Sequence, residues 1–197
     1  LVVPLTRSIA KANKNTPLSE IELLIQSKYH EARLCALLIL VEQFKKATEL
    51  QKDVLYDFYL NHIDYINNWD LVDISCPYIV GNYLLDKDRS HLYELAESKH
   101  LWSQRIAVVS TIAFIRKGEF LDTFALAGKL LNHEHDLMHK AIGWMLREVG
   151  KKDRAALTDF LERNASLMPR TSLRYAIEHY PETDRKAFLS VKQIKNK

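Results

Sequence analysis

Trp69, Asp73, Arg105, Lys140 and Trp144 are the residues of this chain whose types and spacing suit shared chemistry. A carboxylate stabilises positive charge that develops on a neighbouring reacting atom. Each tryptophan face attracts a nearby cation by roughly 0.5–2 kcal/mol, more when desolvated. Arginine and lysine hold phosphates and other anions. What joins the five is register. Steps of 36 residues lead from Arg33 to Trp69 and Arg105, and steps of 35 lead on to Lys140 and Tyr175. One helical turn later the same walk meets Leu37, Asp73, Val109, Trp144 and His179. A period of that length without strand-like alternation belongs to stacked helix pairs, in which equivalent positions line one surface. Taken singly, each residue has an ordinary role: a tryptophan packs between repeats, an early aspartate complements a helix dipole, an arginine forms a surface ion pair. Asp70 fits the dipole role, whereas Asp73 lies deeper, one turn from Trp69.

The elements that must carry these residues are helices throughout. Thr16-Pro17 reads as N-cap and first position of a helix through Ser27. In 30–46 the apolar set Leu34, Leu37, Leu38, Val41 and Phe44 is spaced by threes and fours, an amphipathic helix. A helix over 48–66 follows, with Asn67-Asn68 as turn and cap, and then one over 69–85. Further helices are expected over 89–98, 100–117, 119–131, 134–149, 152–165, 169–180 and 182–195. Pro77 lacks the N–H that would bond the Asp73 carbonyl, so a kink or break is expected beside that carboxylate. With no convincing strand and no long linker, residues 1–197 read as a single all-α domain of five or six helix pairs.

Composition agrees with this class. Five Gly and five Pro are too few for a loop-rich β-fold. A 47% hydrophobic and 27% charged chain of 197 residues can bury one sizeable core. Apolar runs such as 34–41 fall far short of the roughly 20 residues of a membrane span. No cleavable leader is evident, and the missing initiator Met is compatible with a start inside a longer protein. Cys35 and Cys76 lack metal or redox spacing and read as reduced, buried thiols of a cytosolic protein. The charge is uneven. Residues 1–98 hold 10 Lys/Arg against 14 Asp/Glu, while residues 99–197 hold 18 against 11. A basic second half points to a polyanion held mainly there, with Arg105 and Lys140 central.

Three motifs carry a resemblance. Asn-Asn-Trp-Asp-Leu-Val-Asp (67–73), Leu-Trp-Ser-Gln-Arg (101–105) and Lys-Ala-Ile-Gly-Trp-Met-Leu-Arg-Glu (140–148) resemble the AlkD-type DNA alkylation repair family, HEAT-like-repeat glycosylases that remove alkylated purines. Ser-Lys-Tyr-His-Glu-Ala-Arg (27–33) and Leu-Arg-Tyr-Ala-Ile-Glu (173–178) agree more weakly. The resemblance implies a right-handed α-solenoid of HEAT-like repeats with a concave, DNA-facing surface. It implies that Asp73 is the catalytic carboxylate, that Trp69 and Trp144 flank the damaged nucleotide, and that Arg105 contacts the DNA backbone. It further implies duplex DNA with alkylated bases as partner, a monomer with no cofactor, metal or membrane, and a cytoplasmic, nucleoid-associated location. Two departures concern DNA affinity. The family's N-terminal helix is expected to have no counterpart, because the chain opens at Leu1, and a family lysine two turns after the arginine falls at Ala113.

These residues also suit cleavage of an N-glycosidic bond to a cationic base. A purine alkylated at N3 or N7 leaves as a neutral base, so one carboxylate suffices where glycosidases use a pair. The competing reading is a non-catalytic HEAT-like module that binds DNA structures or a protein partner. His133, His135 and His139 invite a metal, but no third ligand has defined spacing, and the interleaved Glu134 and Asp136 fit a helix start. Lys151, Lys152 and Arg154 read as a solvated, phosphate-accessible face.

Overall fold

The computed structural model describes residues 3–194. Among these no strand occurs, and the chain is α-helical with short connections, as the periodicity requires. It divides into two compact units, Leu1–Asp88 and Arg89–Lys197.

In the first unit the helices are α1 (Val3–Ala12), α2 (Leu18–Ile25), α3 (His30–Phe44), α4 (Glu49–Asn61) and α5 (Trp69–Ser75). The hub is α3. It buries Leu34, every residue from Ala36 to Val41, and Phe44, so its apolar surface is no narrow stripe. A helix apolar around most of its circumference must be covered on several sides, and α1, α2, α4 and α5 cover it. Each of its fully buried leucines contributes about 1.5–3 kcal/mol relative to exposure. Thr48 caps α4 in a reciprocal box with Gln51, which fixes the turn out of α3.

In the second unit α6 (Ser90–Glu97), α7 (Leu101–Ser110), α8 (Ile112–Lys117), α9 (Leu121–Lys129), α10 (Asp136–Lys152), α11 (Arg154–Asn164), α12 (Arg170–Ala176) and α13 (Glu182–Ser190) follow. Here α10 is the hub, packed against α7, α11 and, most extensively, α12. The chain end is laced back by Arg170, which donates to the carbonyls of Leu189 and Val191.

Several boundaries depart from the sequence reading for identifiable reasons. No helix was expected before Thr16, yet α1 is present; the Thr16 hydroxyl donates to the Asn13 carbonyl and α2 begins at Leu18. The segment 100–117 is two helices, because the Thr111 hydroxyl donates back to the Val108 carbonyl at 2.7 Å and competes with the ladder. The segment 69–85 is α-helical only to Ser75 and then widens into a π-helical turn over Pro77–Gly81. That is the break the proline demands.

Candidate functional site

The five residues of the register fall on α5, α7 and α10, so each unit is described separately. In the first unit Asn68 caps α5, its side-chain oxygen accepting the Trp69 N–H at 2.7 Å. Two further contacts fix the start of this helix. Asp70 places one carboxylate oxygen 2.7 Å from His30 Nε2 and accepts the Leu71 N–H with the other. Arg33 donates to the Ser27 carbonyl at 2.8 Å and to the Asn67 side chain at 3.2 Å. The first turns of α3 and α5 are therefore pinned together, and Trp69 projects from the pin 49% exposed. An indole half in water on an anchored helix start is not a core residue.

Asp73 lies one turn further on and is half-buried. Behind it Leu71, Val72 and Ser75 are buried. The Ser75 hydroxyl donates to the Leu71 carbonyl, and the fully buried Tyr59 hydroxyl donates to Ser75 at 2.9 Å. Burial pushes the Tyr59 hydroxyl well above the ordinary tyrosine range, and the Cys76 and Asp73 charges add to that rise. Asp73 thus lies within electrostatic reach of a closed polar network that holds its helix. Past it, Cys76 N–H bonds the Val72 carbonyl, while Gly81 N–H reaches back five residues to the Cys76 carbonyl. Such π-turns occur often at functional sites.

In the second unit Arg105 is only 4% exposed and donates to the Leu137 carbonyl at 2.5 Å. The sequence reading expected a backbone-contacting arginine; the structure sets its guanidinium against the start of α10. Lys140, half-buried, pairs with Asp136 at 2.7 Å, one turn earlier on the same helix. That hydrogen bond raises the Lys140 pKa, with Tyr175 adding to the rise and Arg105 opposing it. Arg105, Lys140 and Tyr175 therefore interact electrostatically, as three successive members of one register should. Trp144 is half-buried, and its indole N–H donates to Glu148 at 3.2 Å. Glu148 also accepts from Lys151.

Gly143, which lies in the 140–148 motif but was assigned no role from sequence, sets this arrangement. Its α10 backbone lies so close to α12 that a Cβ there would stand 2.5 Å from Tyr175 Cβ and 2.6 Å from the Ser172 carbonyl oxygen. Only glycine permits that approach. The pairing of His30 with Asp70, 40 residues apart, likewise leaves no signal in the sequence.

The histidine run resolves into local structure. His135 Nδ1 accepts the Leu137 N–H as the cap of α10, His133 Nε2 meets Gln104 at 2.8 Å, and His139 Nε2 meets the His133 carbonyl at 2.5 Å. Among the described residues no group of three or more His, Cys, Asp or Glu is placed to hold a metal ion. Nor is any helix among them long and apolar enough to cross a membrane.

Comparison with known proteins agrees with this architecture. The chain superposes on a structure described as a predicted DNA alkylation repair enzyme from Enterococcus faecalis, with a TM-score of 0.69 over 91% of this chain and 84% of that one, at 17% identity. At that identity the likeness establishes the helical-repeat fold. No curated protein matches the chain. The sequence model of the DNA alkylation repair enzymes, however, matches residues 1–180, which contain every position of the register. On that match the chain belongs to the DNA alkylation repair enzyme family.

Proposed function

We propose that this member of the family is a DNA glycosylase that hydrolyses the N-glycosidic bond of positively charged alkylpurines, N3- or N7-alkylated, in duplex DNA. The observation that carries the proposal is the pair on α5: an anchored, half-exposed indole at Trp69 and a carboxylate one turn on at Asp73. Trp69 stacks on or beside the cationic nucleotide. Asp73 stabilises the positive charge that grows on the sugar as the C1′–N bond lengthens. The bond electrons leave with the base, which departs neutral because the alkyl group had already made it cationic. Water then bonds to C1′ and gives up its proton to solvent, oriented by the same carboxylate.

Trp144 is the second aromatic contact to the nucleotide. Lys140 contacts the DNA backbone directly. Arg105, buried against Leu137, acts toward the backbone through its charge and by holding the start of α10.

The test is incubation with duplex DNA carrying N7-methylguanine or N3-methyladenine, scored by free base released. Asp73→Asn nearly preserves shape and DNA affinity and should lower single-turnover excision by about 10²–10³. Uracil, which leaves as an anion and needs a proton donor, should stay attached. Release of uracil at the methylpurine rate, or full excision by Asp73→Asn, overturns the mechanism. DNA binding without any base release overturns the enzyme reading in favour of a binding module.

A further inference from the structure

A groove of about 710 Å³ opens in the first unit, between the turn after α1, the C-terminal end of α3 and the first turns of α4. Leu18, Ala47, Leu50, Val54 and Leu55 supply its apolar lining. Leu50 and Val54, one turn apart on α4, are 81% and 55% exposed. Aliphatic side chains at i and i+4 that face water along a channel are the receiving half of a helix-in-groove contact. The volume falls within the range of small-ligand pockets, but those bury most of their ligand's surface. A rim leucine so open to water is suited instead to a longer segment lying along the groove.

The charges around it are lopsided. Glu42 is paired with Lys45 at 2.5 Å, Glu49 with Lys52 at 2.7 Å, and Asp53 with Lys87 at 2.9 Å. Lys14 and Lys46, which line the groove, form no ion pair among the described residues. Lys11 is close enough to act on Glu42 as well. The charged lining is therefore net positive, Lys14 and Lys46 against Glu42, although residues 1–98 carry more acids than bases. Apolar floor and basic rim together specify a ligand that is apolar on one side and acidic on the other.

We propose that this groove docks an acidic amphipathic helix of a partner protein. Its aliphatic side chains would sit on Leu18, Ala47, Leu50 and Val54, and its carboxylates would meet Lys14 and Lys46. The groove is separate from the α5 site. Arg33, which ties α3 to the start of α5, lies about 15 Å along the α3 axis from Gln43 at the groove, at 1.5 Å per residue. The proposal has partner and DNA binding together, and it stands or falls independently of the glycosylase reading.

The probe is a fluorescein-labelled peptide of roughly 14 residues, about four helical turns, with leucines on one face and glutamates flanking them. Its companion carries lysines in place of the glutamates. Anisotropy with the full chain should show saturable binding of the acidic probe, weakened about tenfold or more for the lysine companion and for the Lys46→Glu and Leu50→Ser variants. Both substitutions lie at exposed positions, and circular dichroism checks that they fold. Saturating duplex DNA should leave the acidic probe's affinity unchanged. Absence of saturable binding, equal affinity for both probes, indifference to both substitutions, or displacement by DNA overturns the proposal, as does capture by anionic lipid vesicles in place of the peptide.

Discussion

Replacing Gly143 by alanine puts a methyl group where α10 and α12 leave no room for one. The added Cβ would stand 2.5 Å from Tyr175 Cβ, 2.6 Å from the Ser172 carbonyl oxygen and 3.1 Å from Ser172 Cα, against ordinary contacts that begin at 3.4 Å. None of these atoms is the tip of a flexible side chain, so the two helices must part by roughly 1 Å. Overpacking of this kind costs about 1–3 kcal/mol. Alanine's better helix propensity returns about 1 kcal/mol, leaving a net loss near 1 kcal/mol. For a chain of this size that lowers Tm by about 2–4 °C. Gly150→Ala is the control. Its Cβ would also stand 2.5 Å from a neighbour, but that neighbour is Leu157 Cδ2, the end of a mobile side chain, and the next atoms are at 3.6 Å. Leu157 can rotate away, so Gly150→Ala should be neutral or slightly stabilising. Urea unfolding of both variants separates the cases. Because Trp144 follows Gly143 and Lys140 precedes it by one turn, Gly143→Ala should also weaken DNA binding. A Gly143→Ala variant as stable as the parent, or a Gly150→Ala variant destabilised as much, refutes the reasoning.

Two more outcomes follow from buried polar groups. Tyr59→Phe removes the hydroxyl that donates to Ser75 but leaves Ser75 bonded to the Leu71 carbonyl, so unfolding free energy should fall by only about 0.5–1.5 kcal/mol; a loss several times larger would show that the network does more than hold α5. Burial first, then the His135 and His139 charges, lower the His133 pKa below 6.5, while its Nε2 donates to Gln104 and its Nδ1 meets the His135 N–H. The unfolded chain then takes up the proton more readily, so stability should fall as pH drops below about 6.5 and level off below the folded-state pKa. His133→Gln should flatten that fall in urea midpoints measured across the interval, and an unchanged profile would show that His133 does not cause it.

Periodicity made the helices legible because burial on one face leaves a pattern every three or four residues, and the repeat of 35–36 residues made their equivalence legible. The walk helices appear as α3, α5, α7, α10 and α12, with α3 packed on α5 and α10 on both α7 and α12 within their units. Capping was legible only in part: Asn68 caps α5 as read, whereas Thr16 turns back to the Asn13 carbonyl instead of capping α2, and the Thr48–Gln51 box went unread. The break at Pro77 was readable because a missing N–H is a property of one residue. What escaped depends on partners distant in sequence. Val3–Ala12 does carry a helical pattern, with Thr6 and Ala10 buried one turn apart and Lys11 in the last turn, but Leu5 and Ile9 face water and only the packing on α3 shows which face is the inner one. Arg105 reads as a surface cation until Leu137, 32 residues on, presents its carbonyl. Gly143 reads as a weak point in a helix until α12 is laid against it.

The shortness of α5 bears directly on the chemistry proposed for it. Seven residues form no stable helix alone, since nucleation consumes most of what so few hydrogen bonds return. Its order must come from outside: Asn68 and the His30–Asp70 contact at one end, the Pro77 turn at the other, and burial of Leu71, Val72 and Ser75 along its inner face. A carboxylate meant to meet charge that appears only in a transition state works best when already in place, because reorganisation at that moment subtracts from the stabilisation. A longer helix would place Asp73 as firmly, but it would carry the backbone on through the position where the π-turn diverts it. On the proposed reading, Pro77 therefore limits α5 to the turns that hold Trp69 and Asp73, and folding of the first unit supplies the rigidity that the short helix lacks.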